Sequence, residues 1–211
     1  MEELSSDVCF VTETWLDAAA DNVLIDIETK RGYGHVRRDR PGPRLAGGVA
    51  IFYKKSRLSM APVKIPPSEF ELTAAIGRRT GQRRKILALC LYIPPWYDAD
   101  LNNRCLDHVN QVIRSLRNKY QEPYLVLAGD MNRREIRRAI SGQTDLKPVL
   151  TDPTRGRHVL DIVVTSFNEY LEIAGVTDPI ANDAGTETDH KTVYATFKMP
   201  RVPKYLSLIH I

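Results

Sequence analysis

Short apolar runs rich in β-branched and aromatic residues, each cut off by glycine, proline or an acidic turn, recur along this chain and constrain its fold more than any other feature. Val8 to Thr12, Gly47 to Tyr53, Leu72 to Ile76, Lys85 to Tyr92, Tyr124 to Ala128, Val159 to Thr165 and Thr192 to Phe197 have the composition of buried strands. Gly77 to Arg84, a polar stretch holding Gly77 and Gly81, joins two of them as a hairpin. Helical spacing is clear only after Pro94 and Pro95, where Leu101, Cys105, Val109, Val112 and Leu116 repeat from about Asp98 onward. A short basic helix is expected over about Arg133 to Ser141, and Gly175 to Thr186 reads as the loop between the last two strands. Many strands with few helices predict an α/β domain of the α+β type, with mixed or antiparallel sheets rather than a doubly wound parallel one. No glycine-rich phosphate loop of the dinucleotide or P-loop kind occurs, so phosphate must be held in another way.

Size and charge narrow the classes further. A chain of 211 residues, 43% hydrophobic and 27% charged, is the make-up of one globular domain with a sizeable core. No apolar run approaches the roughly 18 residues that span a bilayer, and Met1-Glu2-Glu3 lacks the basic-then-apolar order of a signal peptide, so a soluble intracellular protein with no membrane partner is expected. Cys9, Cys90 and Cys105 have no paired spacing, which speaks against disulfides and a zinc site. The net charge of +4 is gathered in runs: Arg37, Arg38, Arg40 and Arg44, then Arg78, Arg79, Arg83, Arg84 and Lys85, then Arg133, Arg134, Arg137 and Arg138. Such clusters suit a polyanion, and they equally suit a solvated surface.

Chemistry-bearing residues stand where the apolar runs end. Glu13 lies in VTETWL, Tyr92 in LYIPP, Asp130 and Asn132 in GDMN, Asp161 in LDIVVTS, and Asp189 with His190 in TDHKTV. A phosphodiester is anionic and gathers more charge as it is displaced, so carboxylates able to hold a hard cation, an amide and a histidine form a sensible set for its hydrolysis. Simpler uses exist for single members: an acid beside a helix start for Glu13, a plain turn for Gly-Asp-x-Asn, a core-edge phenol for Tyr92. Asp161 is harder to explain away, because a carboxylate between Leu160 and Ile162 needs a partner if the strand is buried. His35, His108 and His158 lack acidic companions and receive no role.

With Gly47-Gly48-Val49-Ala50 in GGVAIF added, these strings resemble the endonuclease/exonuclease/phosphatase family in order and spacing from about residue 8 to 197. The loop RRDRPGPRLAGGVAIF is most similar to the apurinic-like endonuclease domain of non-LTR (LINE, jockey-like) retrotransposons. The resemblance implies a DNase I-like, two-sheet β-sandwich flanked by helices over residues 1–200, truncated at the N-terminus so that its first strand and helix are lacking, with residues 201–211 as a tail outside the fold. It implies a Mg²⁺-dependent endonuclease that nicks DNA, with Mn²⁺ an alternative ion, working in the nucleus and having a reverse transcriptase in the parent protein as a further partner. Glu13 and Asp189 then become metal ligands. Asp130 orients or deprotonates the attacking water, Asn132 holds that water or the phosphate, and His190 contacts the scissile phosphate with Asp161 on its other ring nitrogen. Tyr92 donates its hydroxyl to the phosphate. Thr188 stands where the family usually has serine. Two further readings stay open: a phosphatase or phospholipase of the same fold, and a non-catalytic remnant with weak nucleic-acid binding.

Overall fold

The computed structural model describes residues 6–17, 20–40, 46–132, 135–150, 152–178 and 189–200. Its framework is a six-stranded sheet ordered β4-β5-β6-β7-β9-β8, built from β4 (Leu58–Pro62), β5 (Glu71–Arg79), β6 (Ile86–Tyr92), β7 (Tyr124–Asp130), β8 (Lys147–Pro148) and β9 (Asp161–Thr165). The pairing is antiparallel except between β6 and β7, which run parallel because α2 (Ala99–Tyr120) carries the chain back between them.

Alternation along β6 shows why its run is apolar throughout. Leu87, Leu89 and Leu91 join Cys105, Val109, Val112, Ile113 and Leu116 of α2 in one core, while Ala88, Cys90 and Tyr92 face a second core on the opposite side. That second core is closed by a three-stranded antiparallel sheet, order β1-β3-β2, made of β1 (Val8–Thr12), β2 (Tyr33–Arg38) and β3 (Val49–Lys54). Val49 and Ile51 of β3 point inward, and Ala50 and Phe52 point outward to α1 (Asp21–Arg31). The layers are thus helix, sheet, sheet, helix: the expected two-sheet sandwich flanked by helices. A separate two-stranded antiparallel sheet of β10 (Leu171–Thr177) and β11 (Thr192–Phe197) packs against the second core, where Phe197 meets Phe167 edge-on, ring centroids 4.7 Å apart. Among the described residues β1 pairs only with β3, and β11 only with β10.

The helix after Pro95 is capped by Asp98, whose side chain accepts from the Leu101 amide at 2.8 Å. The basic helix expected over 133–141 is corrected to a single 3-10 turn, Ile136–Arg138, with residues 133 and 134 outside the described residues. Its physical reason lies on α2: the Asn110 amide donates to the carbonyls of Arg138, Ala139 and Ser141, using acceptors that a continuing helix would need. Part of the expected Gly175–Thr186 loop is strand, since β10 runs to Thr177 with Gly175 opposite Tyr194, and residues 179–188 lie outside the described residues. The tail at 201–211 lies outside them too. No helix among the described residues is long and apolar enough to cross a membrane.

Candidate active site

Strand register gathers the first residues of the site. Tyr92 at the end of β6 lies opposite Asp130 at the end of β7, and Asp130 lies opposite Asp161 at the start of β9. Opposed residues share a face, so the three form one row, turned with Tyr92 toward the layer between the sheets. The parallel step brings the β6 and β7 ends together, and it needs a glycine: Gly129 has φ +149, and a Cβ there would meet the Leu91 carbonyl oxygen at 1.8 Å.

The smaller sheet contributes from the other side. Glu13 follows β1 directly at φ 51, and its carboxylate accepts a hydrogen bond from the Tyr92 hydroxyl. That bend is held by the amides of Thr14 and Trp15, which donate to the carbonyls of Gly48 and Gly47 at 3.3 and 2.9 Å. His190, just ahead of β11, presents Nδ1 to Asp161 Oδ2 at 2.9 Å. Residues from both sheets therefore converge on one end of the sandwich.

Asp130 is the buried member, 4% exposed, and its carboxyl is pushed up to about 6, first by burial and then by the charges of Asp161 and Glu13. The backbone N–H of Asn132 donates to its Oδ1 at 2.8 Å and opposes that rise. Asn132, at φ 45, also donates its side-chain amide to Asp130 Oδ2 at 3.1 Å and to the Ile93 carbonyl at 2.9 Å, so it clamps the carboxylate against the strand end. The hydrogen bond to Asp161 raises the His190 pKa despite partial burial. Burial, then the bond to Glu13, raises that of the Tyr92 phenol.

Two positions differ in detail from the sequence reading. The Tyr92 hydroxyl is engaged by Glu13 rather than directed at an open phosphate site. Asp189 is ion-paired with Arg155, and its Oδ1 lies 3.8 Å from His190 Nε2, placing it on the open side of the imidazole. Arg155 is one residue the sequence reading missed, as nothing in TRGRH marks it. Another pair missed is Arg40 with Glu71, whose buried carboxylate opens the otherwise apolar run ELTAAI just as Asp161 opens its own.

Asp130, Asp161 and His190 each offer a ligand atom, all within 4.8 Å of one another, and Glu13 is near enough for its charge to act on Asp130. Carboxylate oxygens crowded around a buried carboxyl are donors that suit a hard divalent cation. Asp161 and His190 are satisfied by each other, which fits that pair better to carrying a proton.

No protein-family model and no curated protein sequence matches the chain. Solved structures do. An endonuclease/exonuclease/phosphatase family protein from Bacteroides thetaiotaomicron superposes with TM-score 0.65 at 13% identity, covering 92% of this chain and 84% of its own. The 3′ phosphatase NExo from Neisseria, bound to a product DNA hairpin, gives 0.66 at 14% identity, with 94% and 91% covered. The endonuclease domain of TRAS1, a telomere-specific non-LTR retrotransposon, gives 0.60 at 12% identity, with 91% and 99% covered. The chain has the endonuclease/exonuclease/phosphatase, DNase I-like fold.

Proposed function

We propose that this protein hydrolyses phosphodiester bonds of DNA with the help of a divalent cation, in the manner of a strand-nicking endonuclease of a non-LTR retrotransposon. The observation that carries this reading is the convergence of Tyr92, Asp130 and Asp161, aligned on neighbouring strands, with Glu13 from just after β1 and His190 from just ahead of β11. The basic sequence runs and the likeness to the TRAS1 domain support DNA as the polymer.

Glu13, with Asp130 beside it and Asp189 on the open side, would hold Mg²⁺ or Mn²⁺, which when bound supplies positive charge to the phosphate oxygens. Asp130, fixed in orientation by Asn132, takes the proton of the attacking water. Asp161 accepts from His190 Nδ1, which fixes the ring and favours the imidazolium. Nε2–H then faces the phosphate as donor and cation. Tyr92 steadies Glu13 through its hydroxyl.

Supercoiled plasmid incubated with the protein and Mg²⁺ should be nicked to the open-circular form, and EDTA should stop it. Asp130→Ala and His190→Ala should each abolish nicking while leaving DNA binding nearly intact. Either variant turning over at the parent rate would remove that residue from the mechanism.

A further inference from the structure

Trp96 is an exposed aromatic side chain near the site that the mechanism leaves unused. It follows Pro94 and Pro95 at the end of β6, four residues beyond Tyr92, and is 56% exposed. One side of its ring is not open: the Arg40 guanidinium carbon lies 4.9 Å from the ring centroid and 5.7 Å from that of Tyr92. Arg40 thus bridges the exposed indole and the phenol that meets Glu13.

That guanidinium is fixed rather than roaming. Its Nε and Nη2 donate to Glu71 Oε1 at 2.8 and 2.6 Å, and the Arg40 and Glu71 side chains are 11% and 3% exposed. Gly48 donates its amide to the other Glu71 oxygen. A Cβ on Gly47 would come within 2.3 Å of the Arg40 guanidinium, so the Gly47-Gly48 pair makes room for the stack as well as for the bend at Glu13. An indole held from behind by a seated cation, with its remaining surface in water, is a preorganised flat platform.

We infer that Trp96 is a stacking platform for an unpaired nucleobase next to the scissile phosphate, so that the substrate engaged is DNA with a single-stranded or extruded nucleotide at that point. This rests on the phosphodiesterase reading above. Every base offers a π-face, and the adjoining site calls for a phosphodiester, so a nucleotide satisfies both with one ligand. A base inside an intact duplex is already covered by its neighbours and has no face to give Trp96.

The chain has two tryptophans, so Trp15→Phe leaves Trp96 as the sole tryptophan, read by excitation that bypasses the tyrosines. In EDTA, where nothing turns over, this protein is titrated with oligothymidylate and with an abasic tetrahydrofuran phosphodiester of equal length. Stacking predicts strong quenching of Trp96 by the thymidine oligomer and little by the abasic one. Trp96→Ala should then weaken thymidine-oligomer binding about 10- to 100-fold while leaving abasic binding unchanged, and Trp96→Phe should restore most of it. Equal binding and quenching by the two oligomers, or unchanged affinity in Trp96→Ala, overturns the platform. The two readings fail separately: plasmid nicking with normal Trp96→Ala binding sinks only the platform, and base-dependent quenching without Mg²⁺-dependent nicking sinks only the hydrolase.

Discussion

Tyr92, within the row, and His108, outside it, show how position sets what a side chain can do. Tyr92→Phe keeps the ring that fills the inter-sheet core and removes only the hydroxyl that meets Glu13. It is expected to lower kcat about 10-fold or more with little change in thermal midpoint, as read by nicking rates and melting curves. His108, which received no role from the sequence, packs 5.6 Å from the Phe70 ring and has a buried Nε2 without a hydrogen-bond partner among the described residues. Burial first, and then the Arg38 charge, lowers its pKa from the usual 6.5. The folded protein therefore binds this proton less readily than the unfolded chain. The His108 contribution is whole above about pH 6.5 and is lost as pH falls through the lowered folded value. Urea midpoints at pH 7.5 and pH 5 should fall further for the parent than for His108→Leu, and parallel losses would show that another group sets the acid limb.

At the scale of elements, the parallel step between β6 and β7 and the Asn110 clamp are the joints that place the site. Gly129→Ala should cost more than about 3 kcal/mol, because the added methyl runs into the Leu91 backbone in a conformation that disfavours side chains. Denaturant unfolding measures this, and a near-neutral result would mean that the β6–β7 ends sit farther apart. Asn110→Ala leaves three carbonyls without their donor and is expected to cost about 1–3 kcal/mol. The same elements show which parts were legible. β6, β7, β11 and α2 stood out in the sequence because long apolar runs or a sustained helical spacing mark them. α1 did not: Leu24 is its buried residue, while Val23 and Ile25 are exposed, so no apolar stripe runs along it. β2 and β10 were hidden for a related reason, each being polar or half exposed and interrupted by Gly34 or Gly175. The apolar run Tyr124 to Ala128 understates its strand: β7 runs on to Asp130, because pairing with Tyr92 and Asp161 extends it to that residue.

Across the whole molecule, the basic runs are only partly available for a polyanion. Arg138 is tied to Asp107, Arg37 to Asp21 and Asp39, and Arg40 to Glu71, while Arg84 lies over the Tyr124 ring. Arg137, in the segment after Asn132, has no ion pair among the described residues. In metal-free DNA binding, Arg137→Ala should flatten the dependence of log K on log salt by up to about 0.9, whereas Arg138→Ala should leave that slope nearly unchanged. Equal effects would mean that the Asp107 pair opens on binding. By itself the sequence determined the strand-rich fold class, the two-faced burial of β6 and β7, and the residue types able to hydrolyse a phosphodiester, because local periodicity and side-chain chemistry are properties of short segments. Only the tertiary structure decided that Tyr92, Asp130 and Asp161 share a row, that Glu13 meets Tyr92, that Asp189 takes Arg155, and that Arg40 seats Trp96. Those partnerships join residues far apart in the chain, and they are fixed by strand register and by the stacking of the two sheets, which no single segment encodes.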